Sequence, residues 1–168
     1  MIYIHGINHN TQHKGTGSDP EGASRLEKLV ESLCLEKDIT VVAEEFSTEA
    51  CEHNGIKASI CHQTARRMQL QPIYCDPVSS ERAKLGIPSQ AELVERAKKY
   101  LGGTTIMGKK SNDYYNQLAA QYHSIRETFW LTKLEPHKGD NVLFICGSTH
   151  KHSFAEMLAK HDWEVETV

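Results

Sequence analysis

The sequence has no apolar run approaching the roughly 18–20 residues of a membrane-spanning helix, so no membrane association is expected. It has no surplus of positive charge either: 19 Lys and Arg against 22 Asp and Glu leave a formal charge of −3. Nucleic-acid binding ordinarily shows a basic surplus or stripe, and the only basic clusters, "ARRM" and "MGKKS", are short enough to be solvated surface. No nucleic-acid partner is expected. The opening "MIYIHGINH" lacks the basic start and small-residue cleavage site of a secretory leader. The five cysteines, Cys34, Cys51, Cys61, Cys75 and Cys146, contain no Cys-x-x-Cys pair. An odd, unspaced set fits a reduced compartment better than a disulfide framework, so the expected location is cytoplasmic.

What the chain does have is histidine, ten in 168 residues. Two of them stand in the same local pattern: "MIYIHGINHN" and "NVLFICGSTH" each run a hydrophobic strand into Gly-x-x-His. Between these ends the chain alternates. "MIYIH", "DITVVAEE", "QPIYCDP", "DNVLFICG" and "WEVETV" read as strands. "ASRLEKLVESLCL", residues 55–68, "PSQAELVERAKKYL", a long helix over 111–135 and "HSFAEMLAKH" read as helices. Ser89 is the expected N-cap of the third of these. "GGTTIMGKK" separates it from the long helix. The order β-α-β-α-β-α-α-β-α-β predicts one α/β domain over 1–168, a mostly parallel sheet of about five strands flanked by helices.

Ligands of such sheets bind beyond the carboxyl ends of the strands. Those ends carry His9, Glu44 and Glu45, Asp76, and His150. Glycine directly after a strand permits a tight turn, and the histidine three positions on can curl back over the sheet edge. Amides in the same turns could hold an oxyanion. Glu44 and Glu45 are adjacent, so in extended chain they point to opposite sides, and at most one is expected at the site. Two histidines with carboxylates suit Mn²⁺, Co²⁺ or Zn²⁺, with His9, Glu45, His150 and Asp76 as ligands. They equally suit acid–base chemistry without metal. His13 and His152 are secondary candidates, while His53, His62, His123 and His161 are expected to face solvent or pack.

Gly6-x-x-His9, the acidic end of strand two, Arg126-Glu127 on a long helix and Gly147-x-x-His150 follow one another in an order that resembles the TraB/PrgY, TIKI, ChaN and erythromycin-esterase superfamily. The most specific stretch is "SIRETFWLTKLEPHKGDNVLFICGSTHKHSFAEMLAKHDWEV"; residues 46–110 resemble it only in layout. That resemblance implies an α/β core with a polar site at the strand ends. Members include metal-dependent proteases, esterases that work through histidine, and a haem-binding branch. By analogy His9 and His150 form the central pair, Glu44 or Glu45 is the acid, and Arg126 orients a carboxylate or substrate. The chain lacks the inserted helices that cover the site in relatives, so the site is expected to be open or roofed by a partner subunit. The expected function is hydrolysis of an ester or amide in a small molecule or peptide, metal-assisted, at His9, Glu44, Glu45, Arg126 and His150. The alternatives are a small-molecule or haem sensor on the same fold, and a vestigial site. Arg126 has a competing structural role, an ion pair with Glu127 or Asp76. The open edges of such a sheet allow a homodimer.

Overall fold

The computed structural model describes residues 1–15, 17–100 and 109–168. Among them five strands make one parallel sheet: β1 (Ile2–Ile7), β2 (Val41–Glu44), β3 (Gln71–Tyr74), β4 (Val142–Gly147) and β5 (Val165–Thr167). Their order across the sheet is β3-β2-β4-β1-β5. β4, the sequence "VLFICG", is buried along its whole length, as a central strand covered on both faces should be.

Side chains alternate between two cores. Tyr3, Val42, Leu143 and Ile145 face one side and pack with Leu26, Val30, Leu33, Cys61 and Ala65. These come from α1 (Pro20–Glu36) and from a later helix, Ile60–Arg67. Ile2, Ile4, Val41, Ala43, Val142, Phe144 and Cys146 face the other side, under Trp130, Leu131, Leu134, Phe154 and Leu158. Trp130, Phe144 and Phe154 meet pairwise at ring-centroid distances of 5.5, 5.3 and 4.8 Å. Burying each of these rings stabilises the fold by roughly 1.5–3 kcal/mol.

The expected strands all occur, and the helices differ in detail. A short α2 (Thr48–His53) follows β2, and α3 begins only at Ile60, capped by the Ser59 hydroxyl, so residues 55–59 are not helical as expected. A further short helix, α4 (Ser79–Lys84), precedes α5 (Gln90–Tyr100). Ser89 caps α5 as expected: its hydroxyl accepts from the Glu92 N–H, and the Glu92 carboxylate accepts from the Ser89 N–H. The helix expected over 111–135 is two, α6 (Lys109–Ala120) and α7 (His123–Leu134). At the break, Gln121 and Tyr122 bond back to Leu118 and Ala119, a tightened last turn. No Pro or Gly marks this break. Packing decides it: α6 lies along α5, with Tyr100 and Tyr114 stacked at 4.0 Å, while α7 turns onto the sheet. The expected break within 102–110 lies largely outside the described residues. α8 (Lys151–Lys160) follows β4.

Candidate active site at the strand ends

The strand order explains why the two Gly-x-x-His turns meet. β1 and β4 are neighbours, with Ile7 paired to Gly147, so His9 and His150 leave adjacent strands at one level. β2 flanks β4 on its other side, and the Glu45 N–H donates to the Ile145 carbonyl at 2.8 Å. Asp76 follows β3, next in line. The rim therefore reads Asp76, Glu45, His150, His9 across four strands.

Glu45 is the meeting point. Its Oε2 accepts the Gly147 N–H at 2.7 Å. Its Oε1 accepts from Arg126 Nη2, and both His9 Nε2 and His150 Nε2 lie 3.6 Å from that same oxygen. The Glu45 side chain is 2% exposed, and that of His9 is 55% exposed. Gly147 must be small for this reason. A Cβ there would sit 2.6 Å from His9 Nε2 and 3.3 Å from Glu45 Oε2. At Gly6 a Cβ would sit 3.1 Å from Ser148 Cα, in the turn that launches His150.

Partners behind each imidazole set its tautomer. Gln12 Nε2 donates to Glu44 Oε2 at 3.3 Å, which turns the amide oxygen toward His9 Nδ1, 2.8 Å away. His9 therefore carries its proton on Nδ1 and presents a bare Nε2. His150 Nδ1–H donates to Glu127 Oε1 at 2.7 Å, an oxygen that also accepts from Ser153. Burial works against the ionised Glu127 carboxyl, but these bonds prevail and hold it below its usual range. The Nε2 of His150 is thereby aimed at Glu45 as well.

Glu44 points to the opposite face, where it accepts from the Ser59 hydroxyl and Gln12. Burial pushes its carboxyl up to about 7, and those hydrogen bonds offset only part of the effect. Its link to the site is Gln12, which bonds to both Glu44 and His9.

Arg126 fastens the rim. Its Nε and Nη2 donate to Asp76 Oδ1 at 2.9 and 2.7 Å, Nη2 also reaches Glu45, and Nη1 lies 3.4 Å from His150 Nε2. Asp76 accepts further from Trp130 Nε1 at 3.2 Å and from Arg82. Burial alone would raise the Asp76 carboxyl, and the charges of Arg126 and Arg82 outweigh it, so it stays below its ordinary value. The ion pairs of Arg126 are thus with Asp76, one of the two acids expected for it, and with Glu45, rather than with Glu127.

A divalent ion does not fit this set. Among the described residues no three His, Cys, Asp or Glu side chains are spaced to share one. Of the four ligands expected from sequence, Asp76 is turned onto two guanidinium groups, and Glu45 faces the same cation that stands against His150. The positive charge an ion would bring is already fixed in place by Arg126.

Several site residues were not read from the sequence. Gln12 lies three positions after His9 across a 3₁₀ turn, a spacing that signals a local partner. Glu127 and Trp130 share the helix face that carries Arg126. His123, expected to face solvent or pack, packs its ring at a tilt against that of His150, with centroids 3.9 Å apart. His152 is exposed and pairs with Glu156, away from the rim. Above the rim lies a cleft of about 1830 Å³. Its walls include Ala83, Leu93 and Tyr115, from α4, α5 and α6. Comparison with protein families, with curated proteins and with solved structures finds no match to this chain.

Proposed function

We propose that this chain is a hydrolase that acts on an ester or amide carbonyl through histidine acid–base chemistry, without a metal in the step. The observation that carries this reading is the pair of imidazoles locked as Nδ1–H tautomers, each with Nε2 3.6 Å from one Glu45 oxygen. His9, half in the cleft, is the base. Its Nε2 takes a proton from water as the oxygen attacks the carbonyl carbon. The imidazolium that forms is stabilised by the Glu45 carboxylate, which Arg126 and the Gly147 amide hold in place. Collapse of the tetrahedral intermediate breaks the bond to the alkoxide or amine, which leaves with the proton from His9. His150, 2% exposed, positions Glu45 and Arg126 and does not reach bulk solvent. The resemblance to histidine-dependent esterases supports the same assignment.

Turnover of p-nitrophenyl esters and anilides of graded chain length by wild-type and His9→Ala protein tests it. The expected result is hydrolysis that falls by about 100-fold or more in the variant. Wild-type protein without turnover on any of these, or a variant as fast as wild type, ends the proposal. The size of the cleft supports a second reading, a small-molecule binding module. Ligand-dependent thermal stabilisation with no product would favour it.

A further inference from the structure

Attack on a carbonyl places negative charge on its oxygen, and something must donate to it. Three amides of the second Gly-x-x-His turn are already engaged elsewhere. Gly147 N–H donates to Glu45, Ser148 N–H to the Ile7 carbonyl at 3.0 Å, and His150 N–H to the Gly147 carbonyl at 2.9 Å. The guanidinium of Arg126 is turned onto Asp76, Glu45 and His150.

We infer that His13 is a donor to this oxygen: its Nε2–H, presented to the same cleft as His9, binds the carbonyl oxygen of the substrate. The inference rests on the hydrolase reading above and adds a second histidine of opposite tautomer to it. Gly15 N–H donates to His13 Nδ1 at 3.2 Å, so Nδ1 is the acceptor and the proton sits on Nε2. His9, four residues earlier, has the reverse arrangement. Among the described residues no acceptor is paired with His13 Nε2. The residue is 7% exposed, its ring lies 6.4 Å from that of Phe46, and it lines the cleft with His9 and Glu45. The turn that fixes it is built closely. A Cβ on Gly15 would stand 2.1 Å from the Asn54 carbonyl oxygen and 2.9 Å from Ile56 Cγ2, so only glycine lets the backbone pass beside the end of α2 and bring its N–H to the imidazole. Burial lowers the affinity of His13 for a second proton, which keeps it a neutral donor. A neutral imidazole can polarise a carbonyl in this way.

The test uses intact wild-type, His13→Ala and His13→Gln proteins, with p-nitrophenyl butyrate as substrate and butylphosphonate as a tetrahedral anion. Urea unfolding establishes that each variant is folded. Long-range ¹H–¹⁵N NMR of the wild type should show His13 protonated at Nε2, and butylphosphonate should shift that resonance. His13→Ala should lose about 100-fold in kcat with KM little changed. It should also lose the phosphonate affinity, while His13→Gln, which keeps an N–H near the Nε2 position, recovers part of both. A proton on Nδ1, or His13→Ala with wild-type turnover and phosphonate affinity, overturns the inference. If the wild type fails to hydrolyse the ester yet phosphonate shifts the His13 Nε2–H, the hydrolase reading falls and the donor role survives. If neither occurs, both fall.

Discussion

Glu44 and Glu45 are joined by one peptide bond, and the strand turns them to opposite faces of the sheet. Glu45 gains a guanidinium and a backbone N–H; Glu44 gains a hydroxyl and an amide. Only Glu44 is left with a buried carboxyl and no cation, which raises it from 4.5 to about 7. A raised acid is neutral in the folded chain where the unfolded chain has already ionised. The group therefore favours folding most below pH 4.5, and that contribution is lost as pH rises toward 7. Glu44→Gln does not titrate, so its stability should gain on wild type across this interval by about 3 kcal/mol. Urea unfolding of both proteins between pH 4 and 8 measures it; a difference that does not change with pH refutes the account. Gly147→Ala belongs to the same scale. The new Cβ meets the end of a half-exposed side chain, which can rotate away. Stability should change by about 1 kcal/mol or less, while the His9 ring leaves Glu45 and any turnover drops as far as in His9→Ala. A His9 ring resonance that stays unshifted in the variant would count against this packing.

At the scale of elements, α7 is the part that ties site to core. One turn of it supplies Arg126, Glu127 and Trp130, which hold Asp76 and Glu45, orient His150, and fill the core against Phe144. Arg126→Ala removes the cation from two carboxylates whose side chains are 2% and 11% exposed. The expected loss is roughly 3–5 kcal/mol, because Glu45 is left buried without a cation and Asp76 keeps only Arg82. Arg126→Lys should lose less, keeping the charge without the planar fork. Thermal and urea unfolding read both, and an alanine variant within 1 kcal/mol of wild type would contradict the ion-pair account. Elements like α7 were legible in part. The five strands show in the sequence as apolar runs bounded by turn residues, and α1, α5 and α8 show as periodic faces. α2 and α4 do not, since six residues hold under two helical turns and give no period to read. The break at Gln121–Tyr122 has no local marker, because its cause is the different packing of α6 and α7.

At the scale of the molecule, the feature least legible in the sequence is the one on which the site depends. That His9 and His150 end strands can be read from "GINH" and "GSTH". That β4 lies between β1 and β2, and so puts Glu45 rather than Glu44 beside both histidines, follows from strand order, which no local pattern encodes. The same order has a consequence for folding. Among the described residues β1 and β2 do not pair with each other; each pairs with β4, and β1 pairs otherwise only with β5. Residues 1–138 alone therefore hold a β2–β3 pair and an unpartnered β1, with both cores missing the wall formed by Val142, Leu143, Phe144 and Ile145. Such a fragment should show no cooperative unfolding transition by circular dichroism, although it contains His9, Glu45, Asp76 and Arg126. Added peptide 139–168 supplies β4, α8 and β5 in one piece, and should restore a transition that depends on peptide concentration, since binding to the folded form alone stabilises it by mass action. A cooperative transition in the fragment by itself would mean that β1 and β2 find another partner, and that the central strand does not assemble the rim.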